Sequence, residues 1–196
     1  NNISSVLMNW KDQFPHVYSE IMEDFKECFD FINDVIFIED NIGGIVTPLI
    51  AIKERGIRRP IRMTEWSDGM FRALHLIMLA RIPIKKNDHI ENPSLVLIDE
   101  IENGLDFKTL KTIINYLIDY KDESQIIITS HSPLVCDFIH PHYWQIVKRK
   151  GAVINFISPK DIEENLSEAL EVFKQEHWTF YSKHIKDFLN SNTISH

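Results

Sequence analysis

Hydrophobic and polar residues follow helical spacing at the start of this chain and extended spacing soon afterwards. Apolar residues recur every three or four positions over residues 6–29, which predicts helix there. Three extended segments come next, and a short turn at residues 41–44 predicts that the first two form a hairpin. These segments cover residues 30–39, 45–54 and 57–63.

The middle of the chain alternates helices with apolar strands. A mostly apolar helix is predicted after Gly69, to about residue 82, followed by a polar loop over residues 85–93. Two short strands then end at Ile98 and Ile128, and continuous apolar runs of this kind are typical of strands buried on both faces of a parallel sheet. A helix predicted over residues 107–120 joins them, so the connection is a crossover and the strands are parallel.

The last third of the chain predicts a short helix from Pro133, a hairpin around Gly151 and a helical tail over residues 160–196. Within the tail, one apolar stripe is formed by Ile162, Leu166, Ala169, Leu170 and Phe173. It is interpreted as a packing surface, either on this sheet or on another lobe. The whole pattern predicts a single α/β domain over residues 1–196, with a helical start over residues 1–30 and a mostly parallel sheet flanked by helices and antiparallel hairpins.

Two acids follow the first of the two apolar strands directly. Leu95-Val-Leu-Ile runs straight into Asp99 and Glu100. Burying an unpaired carboxylate is costly, so the strand is expected to end here with both side chains at a site for a cation or a polarised water. Strand-end acids of this kind hold magnesium and position water in nucleotide triphosphatases. The alternative is an ordinary strand followed by an acidic turn.

Two other segments carry candidate chemistry. Ser67 is a good N-cap for the helix after Gly69, and a helix N-terminus offers free N–H groups and a positive dipole end to a phosphate. The alternative there is a capped core helix without a ligand. His131 follows the second apolar strand. A lone histidine is usually structural, but parallel strands would bring this one to the same sheet edge as the acids.

Four segments, in this order, resemble the motifs of an ABC-type ATPase head of the SMC/RecF/OLD-like branch. SDGMFR resembles the signature motif, LVLIDE the Walker B strand, NGLD the D-loop and ITSHSP the switch-histidine segment. The resemblance covers roughly residues 60–160. It implies a P-loop NTPase-like fold, ATP and Mg²⁺ as cofactors, and hydrolysis of ATP held between two heads of a homodimer.

The resemblance also implies roles for the residues around the phosphates. Asp99 would hold magnesium, mostly through its water shell. Glu100 would orient or deprotonate the attacking water, and His131 would contact the γ-phosphate. Ser67 and Gly69 would cap the γ-phosphate of a nucleotide held by the opposing protomer.

Three further residues match the same motifs. Asp106 would reach across the dimer interface toward the partner's site. Arg72 would couple the signature helix to neighbouring segments, with a salt-bridged helix arginine as the alternative. Asp68 stands where transporters usually carry glycine, so it is expected to point away from a phosphate or to pair with a base. Trp66, just before the serine, is interpreted as packing.

The phosphate-binding loop of such ATPases is not found in this sequence. No G-x-x-x-x-G-K-S/T pattern occurs, and the only glycine pair, Gly43-Gly44, is not followed by lysine and serine or threonine. In the resembled family that motif lies upstream. The chain is therefore expected to be the C-terminal lobe of a head, with the N-terminal Walker A lobe as a missing partner. Weak or no ATP binding, and no turnover, is expected of this polypeptide alone.

Charge and composition limit the choice of partners. The net charge of -8 argues against a stand-alone nucleic-acid module. One basic cluster could face DNA or a protein partner, or could be a solvated turn that balances nearby acids: Lys53, Arg55, Arg58, Arg59 and Arg62. The two cysteines, Cys28 and Cys136, are predicted to be reduced core residues. Without a signal pattern or a membrane-length apolar run, the chain is expected to be cytoplasmic and outside the membrane.

The resemblance implies an ATPase whose dimer drives or gates a DNA-processing, DNA-repair or anti-phage defence complex. DNA and an effector nuclease are expected partners, and because no nuclease motif follows residue 160, the nuclease would be another chain or a lost segment. The alternative function is a non-catalytic docking module of the same fold that binds a partner effector. Retention of Asp99, Glu100, Ser67 and His131 together argues against that alternative.

Overall fold

The computed structural model describes residues 3–42, 45–82, 84–86, 89–91, 95–119 and 125–158. The chain divides after His131 into two compact units. The first contains α1 (Ile3–Gln13), α2 (Pro15–Cys28), β1 (Ile32–Ile42), β2 (Ile45–Glu54), β3 (Ile61–Arg62), α3 (Asp68–Ala80), β4 (Ile84–Lys86), β5 (His89–Glu91), β6 (Leu95–Ile98), α4 (Phe107–Asp119) and β7 (Gln125–Ile128). The second contains α5 (Pro133–Phe138), β8 (Ile146–Lys150) and β9 (Val153–Ile157). The sequence predicts one domain over residues 1–196, and that assignment stays a prediction.

The helical start of the chain consists of two helices rather than one. α1 ends at Gln13 and α2 begins at Pro15, because proline has no N–H to donate and is best placed in the first turn of a helix. α1 is tied to the hairpin below it through a buried serine. The Ile50 amide donates to Ser4 Oγ at 3.1 Å, and the Ser4 hydroxyl lies 3.8 Å from the Met63 sulfur.

β1, β2 and β3 form an antiparallel sheet in that order. The hairpin of β1 and β2 confirms the sequence prediction, and its register pairs Ile36 with Ala51; the predicted turn lies partly outside the described residues. β3 is much shorter than the predicted segment 57–63. Pro60 has no N–H for a ladder, and the chain enters a 3-10 turn at Met63. In the region of the predicted polar loop over 85–93, β4 and β5 form a short antiparallel pair. The polar composition of this segment did not indicate strands.

β6 and β7 form a parallel pair, as the sequence predicts. Leu95 lies opposite Gln125, and Ile98 lies opposite Ile128. The prediction that the first strand is buried on both faces is wrong, since its side chains alternate. Val96 and Ile98 are buried, whereas Leu95 is 49% exposed and Leu97 65% exposed. On β7, Ile127 is 47% exposed, so this pair presents one apolar face to the surface.

The core of the first unit lies among the apolar sides of α2, α3 and α4 and the second strand. Its fully buried members include Ile21, Phe25, Ile50, Ile52, Leu74, Ile77, Ile113 and Ile114. Trp66 joins this core, with its ring stacked 5.4 Å from that of Phe25, which confirms its interpretation as packing. Among the described residues, no helix has the length and apolar character needed to span a bilayer. The tail predicted over 160–196 and its apolar stripe lie outside the described residues.

An ion cluster joins the end of α3 to α2. Arg81 Nε donates to Asp24 Oδ2 at 2.7 Å, and a terminal guanidinium nitrogen bonds Glu20. Arg81 and Asp24 are both largely buried. Burial raises the pKa of Asp24 above its ordinary value, although Arg81 opposes that rise. Ionised Asp24 therefore depends on Arg81 for its charge compensation.

Replacing Arg81 by alanine is expected to lower the free energy of unfolding by about 3 kcal/mol at neutral pH, because it leaves a buried carboxylate without its cation. The loss should shrink on acidification. A raised pKa means that the folded state binds the proton of Asp24 more tightly, so this group favours folding below its unfolded-state pKa and loses that effect as pH rises through the folded value. Urea denaturation of the parental protein and the variant at several pH values measures the loss of unfolding free energy and its pH dependence. Arg58→Ala, at an exposed position, is the control, and a pH-independent loss would contradict the prediction.

The two cysteines differ in their surroundings, and neither is part of a disulfide. Burial, followed by the nearby acids Asp24 and Glu27, raises the pKa of Cys28 to about 12. Because the thiolate is the reactive form, we expect Cys28 to resist alkylation at pH 8 in the folded protein while half-buried Cys136 reacts. Counting modified thiols by mass spectrometry before and after denaturation tests this. Rapid native labelling of Cys28 would contradict it.

Candidate functional site

The two strand ends that carry the candidate chemistry lie side by side. The ladder of β6 and β7 continues one residue beyond the strands, since the Thr129 amide donates to the Ile98 carbonyl at 2.9 Å. The Ile101 amide in turn donates to the Thr129 carbonyl at 3.2 Å. Asp99 and Glu100 therefore leave β6 at the same edge of the sheet at which His131 follows β7. The structure brings these three predicted residues to one edge.

Thr129 ties the two strand ends together through its side chain. Its hydroxyl oxygen accepts from the Glu100 amide at 2.9 Å, and the same hydroxyl donates to Asp99 Oδ1. The Thr129 side chain thus orients the carboxylate of Asp99 and the backbone of Glu100. Sequence reasoning did not select Thr129. The available signal was its position at a strand end, two residues before His131.

Glu100 has a backbone conformation that few non-glycine residues adopt. Its φ is +45°, in the left-handed region, which costs on the order of 1 kcal/mol. Neighbouring groups hold it there. The Asn103 amide donates to the Glu100 carbonyl at 3.0 Å, and the Asn103 side-chain amide donates to the Glu100 carboxylate. Glu100 is therefore held both at its backbone and at its side-chain carboxylate.

Arg72 connects α3 to this edge through hydrogen bonds, and the coupling role that the resemblance implied for it stays a prediction. One terminal nitrogen donates to the carbonyls of Asp99, at 2.9 Å, and Glu100, at 3.2 Å. The described residues give Arg72 no salt bridge, so the alternative of a salt-bridged arginine is not favoured. Its Nε is buried and without a hydrogen-bond partner within the described ranges.

The N-terminus of α3 is capped as predicted. Ser67 Oγ accepts from the Met70 amide at 3.3 Å. There is no room for a side chain at Gly69, because a Cβ there would lie 2.5 Å from the Gly104 carbonyl oxygen. Gly104 itself has a φ of +74°. The N-terminus of α3, called the α3 mouth below, therefore packs directly on the turn that follows the two acids. Whether Ser67 and Gly69 cap a phosphate stays a prediction.

The two remaining acids of the motifs have local surroundings that the sequence did not specify. Asp68 is exposed at the first position of α3, where the helix dipole stabilises a negative charge. No described basic side chain is bonded to it. Asp106 caps α4. Its Oδ1 accepts from the amides of Lys108, at 2.9 Å, and Thr109, at 3.1 Å, while Oδ2 accepts from the Thr109 hydroxyl at 2.7 Å.

The pKa of Asp106 lies below its ordinary value. Partial burial would raise it, but the bonds from Thr109 and Lys108 together outweigh that effect. At neutral pH Asp106 is therefore an ionised helix cap. Its predicted contact across a dimer interface stays a prediction, and it would have to be made by oxygens already used in this cap.

His131 is exposed, and its amide donates to Glu102 Oε1 at 2.8 Å. Glu102 is a second residue that sequence reasoning missed. With Asp99 and Glu100 it makes this edge strongly acidic. No group of three or more histidine, cysteine or acidic residues within the described residues could hold a metal by itself.

The basic cluster is largely neutralised by acids. Lys53 lies 3.4 Å from Asp34, and Arg62 lies 3.5 Å from Asp40. Arg59 pairs with Glu65 at 2.7 Å and, with the Arg62 amide, lowers the pKa of Glu65 to about 2. These contacts favour the solvated turn over a nucleic-acid surface for three of the five cations. Arg55 and Arg58 are exposed.

Three solved structures are similar to this chain. One, titled for ATP-driven dimerization and DNA-stimulated activation of SMC ATPases, matches with a TM-score of 0.58 at 16% identity, over 86% of this chain and 96% of its own. An Smc head bound to the C-winged helix domain of ScpA matches at 0.55 and 18% identity, over 76% of this chain and 44% of its own. An Smc head with an extended coiled coil, bound to the C-terminal domain of ScpA from Pyrococcus furiosus, matches at 0.56 and 19%, over 82% and 39%.

These similarities establish the fold, which is that of SMC-type ATPase heads. The predicted fold class, P-loop NTPase-like with parallel and antiparallel sheets, is confirmed. A curated relative, a probable ATP-dependent transporter (ycf16) of Antithamnion sp., is 35% identical over 75 residues. That match covers 36% of this chain and 30% of the relative, so the chain spans less than a third of that protein.

A family model described as "AAA domain, putative AbiEii toxin, Type IV TA system" matches residues 11–137. The match takes in α2, α3, β6 and β7 with Ser67, Asp99, Glu100 and His131. It covers more than half of the chain. The chain therefore belongs to this family of AAA domains.

Proposed function

We propose that this chain forms the part of an ATPase head that binds magnesium and activates water for the hydrolysis of ATP. One observation carries the proposal. Asp99 and Glu100 leave β6, and His131 leaves β7, at the same edge of a parallel pair in register, with Thr129 bonded to both acids. Adjacent carboxylates and a histidine at one strand edge are the groups needed to hold a metal–triphosphate and direct a water molecule.

The donor set fits magnesium bound with a nucleotide. Mg²⁺ keeps several waters and takes one or two carboxylates plus phosphate oxygens, rather than a cage made of protein alone. Asp99 is exposed and oriented by Thr129, so it would hold the ion, and no described group of three ligands competes for it. When bound, magnesium neutralises charge on the phosphates.

The protein's own contribution is to place a base. Glu100 has its carbonyl bonded by Arg72 and Asn103, its amide by Thr129 and its carboxylate by Asn103. A carboxylate held in this way has lost most of its freedom before the substrate arrives, which lowers the cost of orienting water. Glu100 would accept a proton from that water, and His131 would contact the terminal phosphate.

ATP-dependent dimerisation is the second part of the proposal. Ser67 and Gly69 would face the triphosphate of a partner protomer, where the α3 N-terminus favours negative charge. Gly69 packs on Gly104, so an occupied α3 mouth would be in contact with the turn that holds Asn103. One similar solved structure is titled for ATP-driven dimerization, which supports this arrangement.

A further lobe is proposed to complete the site. The chain covers 44% and 39% of two Smc head chains, although it covers 96% of a third similar chain, and no Walker A pattern occurs in its sequence. Leu95, Leu97 and Ile127 leave an apolar face on a parallel pair, whereas parallel sheets are normally covered on both faces. A lobe carrying the phosphate loop would cover this face. We propose that the assembled protein acts in the cytoplasm in DNA processing, DNA repair or anti-phage defence, with DNA or an effector nuclease as partners.

The test is magnesium-dependent hydrolysis of ATP by the native protein, purified with any chain that accompanies it. Asp99→Asn should abolish the magnesium dependence and lower kcat at least 100-fold, because the carboxylate that holds the ion is lost. Asp119→Asn, at the end of α4, is a matched control. If the native protein binds a partner but neither binds nor hydrolyses ATP, the non-catalytic docking module is the correct function.

A further inference from the structure

The hydroxyl group of Thr129 is used as both acceptor and donor by the two acids at the strand edge. The Glu100 amide, which can only donate, gives its hydrogen to the hydroxyl oxygen at 2.9 Å. The hydroxyl hydrogen remains available for a second bond, and it is donated to Asp99 Oδ1. The chemistry of the partners therefore fixes the direction of both bonds.

This second bond makes the two oxygens of the Asp99 carboxylate different. Oδ1 accepts from Thr129, whereas Oδ2 has no hydrogen-bond partner among the described residues, and Asp99 is exposed. A hydrogen bond to a carboxylate is charge-assisted and stronger than one between neutral groups. An ion that needed both oxygens would have to break this bond, whereas an ion that needs one oxygen would leave it intact.

Magnesium and calcium differ in that requirement. Mg²⁺ is small, demands nearly ideal octahedral geometry and keeps several of its waters. Ca²⁺ takes a larger and more flexible set of oxygens, which can include both oxygens of one carboxylate. A carboxylate with one oxygen already engaged therefore suits magnesium better than calcium.

The backbone of the parallel pair fixes the position of Thr129. The register of β6 and β7 places Ile98 opposite Ile128, and the Thr129 amide donates to the Ile98 carbonyl at 2.9 Å. The Thr129 carbonyl accepts from the Ile101 amide at 3.2 Å. Because the backbone is bonded through both its amide and its carbonyl, the hydroxyl is directed at Asp99 before any ion binds.

We propose that Thr129 selects magnesium over calcium at this site by keeping one oxygen of Asp99 engaged. The inference rests on the proposed function, since it concerns the ion that accompanies ATP at Asp99. Thr129 is a positioning residue, which acts through the carboxylate and does not itself contact the ion. Thr129→Val should free Oδ1 and admit calcium, whereas Thr129→Ser should not, because serine keeps the hydroxyl.

Displacement of Mn²⁺ tests the proposal in the native protein, purified with any chain that accompanies it and loaded with Mn²⁺ and a non-hydrolysable ATP analogue. Electron paramagnetic resonance gives the concentrations of Ca²⁺ and of Mg²⁺ that each release half of the bound Mn²⁺. The ratio of the calcium value to the magnesium value measures selectivity. Thr129→Val should lower this ratio about 10-fold, the effect of one hydrogen bond to a charged group, and Thr129→Ser should keep it.

Two controls separate selectivity from a general disturbance of the fold. Thr47→Val makes the same chemical change on β2, which carries neither acid, and should leave the ratio unchanged. Amide hydrogen exchange at Glu100, measured without ion or nucleotide, should be faster in Thr129→Val and unchanged in Thr129→Ser, because only valine removes the acceptor of that amide.

An unchanged ratio in Thr129→Val overturns the proposal, and so does an equal change in Thr129→Ser. Complete loss of Mn²⁺ binding in Thr129→Val also overturns it, because the threonine would then be needed for any ion. Failure of the proposed function gives a different result. The parental protein would then not bind Mn²⁺ with the analogue, or Asp99→Asn would bind it as tightly as the parental protein, and the selectivity inference would fall as well.

Discussion

Replacing Glu100 by glutamine is expected to lower kcat for ATP hydrolysis by about 10²- to 10⁴-fold in the native protein, the usual contribution of a general base. The side-chain oxygen of glutamine can still accept the bond from Asn103, and the backbone bonds to Thr129 and Arg72 do not involve the side chain. Only the ability to take a proton is removed. ATP binding should be retained, and the ATP-bound dimer should accumulate.

Two measurements separate this expectation from simple misfolding. Single-turnover hydrolysis reports the chemical step, and light scattering with ATP reports the dimer. Glu102→Gln is the matched control: it changes the acid that accepts the His131 amide and should affect kcat much less. Hydrolysis by Glu100→Gln at the parental rate would remove Glu100 from the chemistry. Loss of ATP binding together with turnover would instead indicate a structural role.

The sequence predicted the parts of this site that depend on one segment at a time. Apolar runs ending in Asp99 and in the Thr-Ser-His segment gave the two strands, and the helix between them gave their parallel arrangement. Ser67 as an N-cap is also a local property, since its acceptor role involves the amide three residues later. In each case the physical cause lies within a few residues of the feature.

The parts that were missed depend on contacts between distant segments. Thr129 bonds Asp99 and Glu100 only because the register of β6 and β7 places Ile98 opposite Ile128. The left-handed φ of Glu100 is held by Arg72 of α3, by Thr129 just after β7 and by Asn103 in the turn after Glu100. An apolar run likewise does not reveal whether both faces are covered, and the exposed Leu97 is a result of what packs on the pair. Tertiary surroundings decide such features, so a single sequence cannot specify them.

Gly69→Ala is expected to damage both stability and turnover. Its Cβ would lie 2.5 Å from the Gly104 carbonyl oxygen, closer than a Cβ atom comes to a non-bonded atom in protein structures, and that oxygen is backbone rather than a flexible side chain. Either the N-terminus of α3 or the turn after Ile101 must move. Overpacking of this kind costs about 1–3 kcal/mol. Since Asn103 precedes Gly104 and holds Glu100, displacement of the turn should also release the base.

The expected result is therefore a lower free energy of unfolding, measured in urea, together with a fall in kcat that remains after correction for the folded fraction. Gly56→Ala separates crowding from backbone strain, because Gly56 has a φ of +82° but no atom within 4 Å of its added Cβ. It should cost stability and leave kcat unchanged. Ser67→Ala removes the cap of α3 without crowding Gly104, and it should lower the free energy of unfolding by about 1 kcal/mol. If Gly69→Ala lowers stability as Gly56→Ala does but leaves kcat intact, the α3 mouth and the Glu100 turn are not coupled. Loss of kcat only in Gly69→Ala, with ATP-dependent dimerisation retained, would indicate that the packing of Gly69 on Gly104 positions the turn that holds Glu100, rather than that the phosphate contact of Gly69 itself is lost.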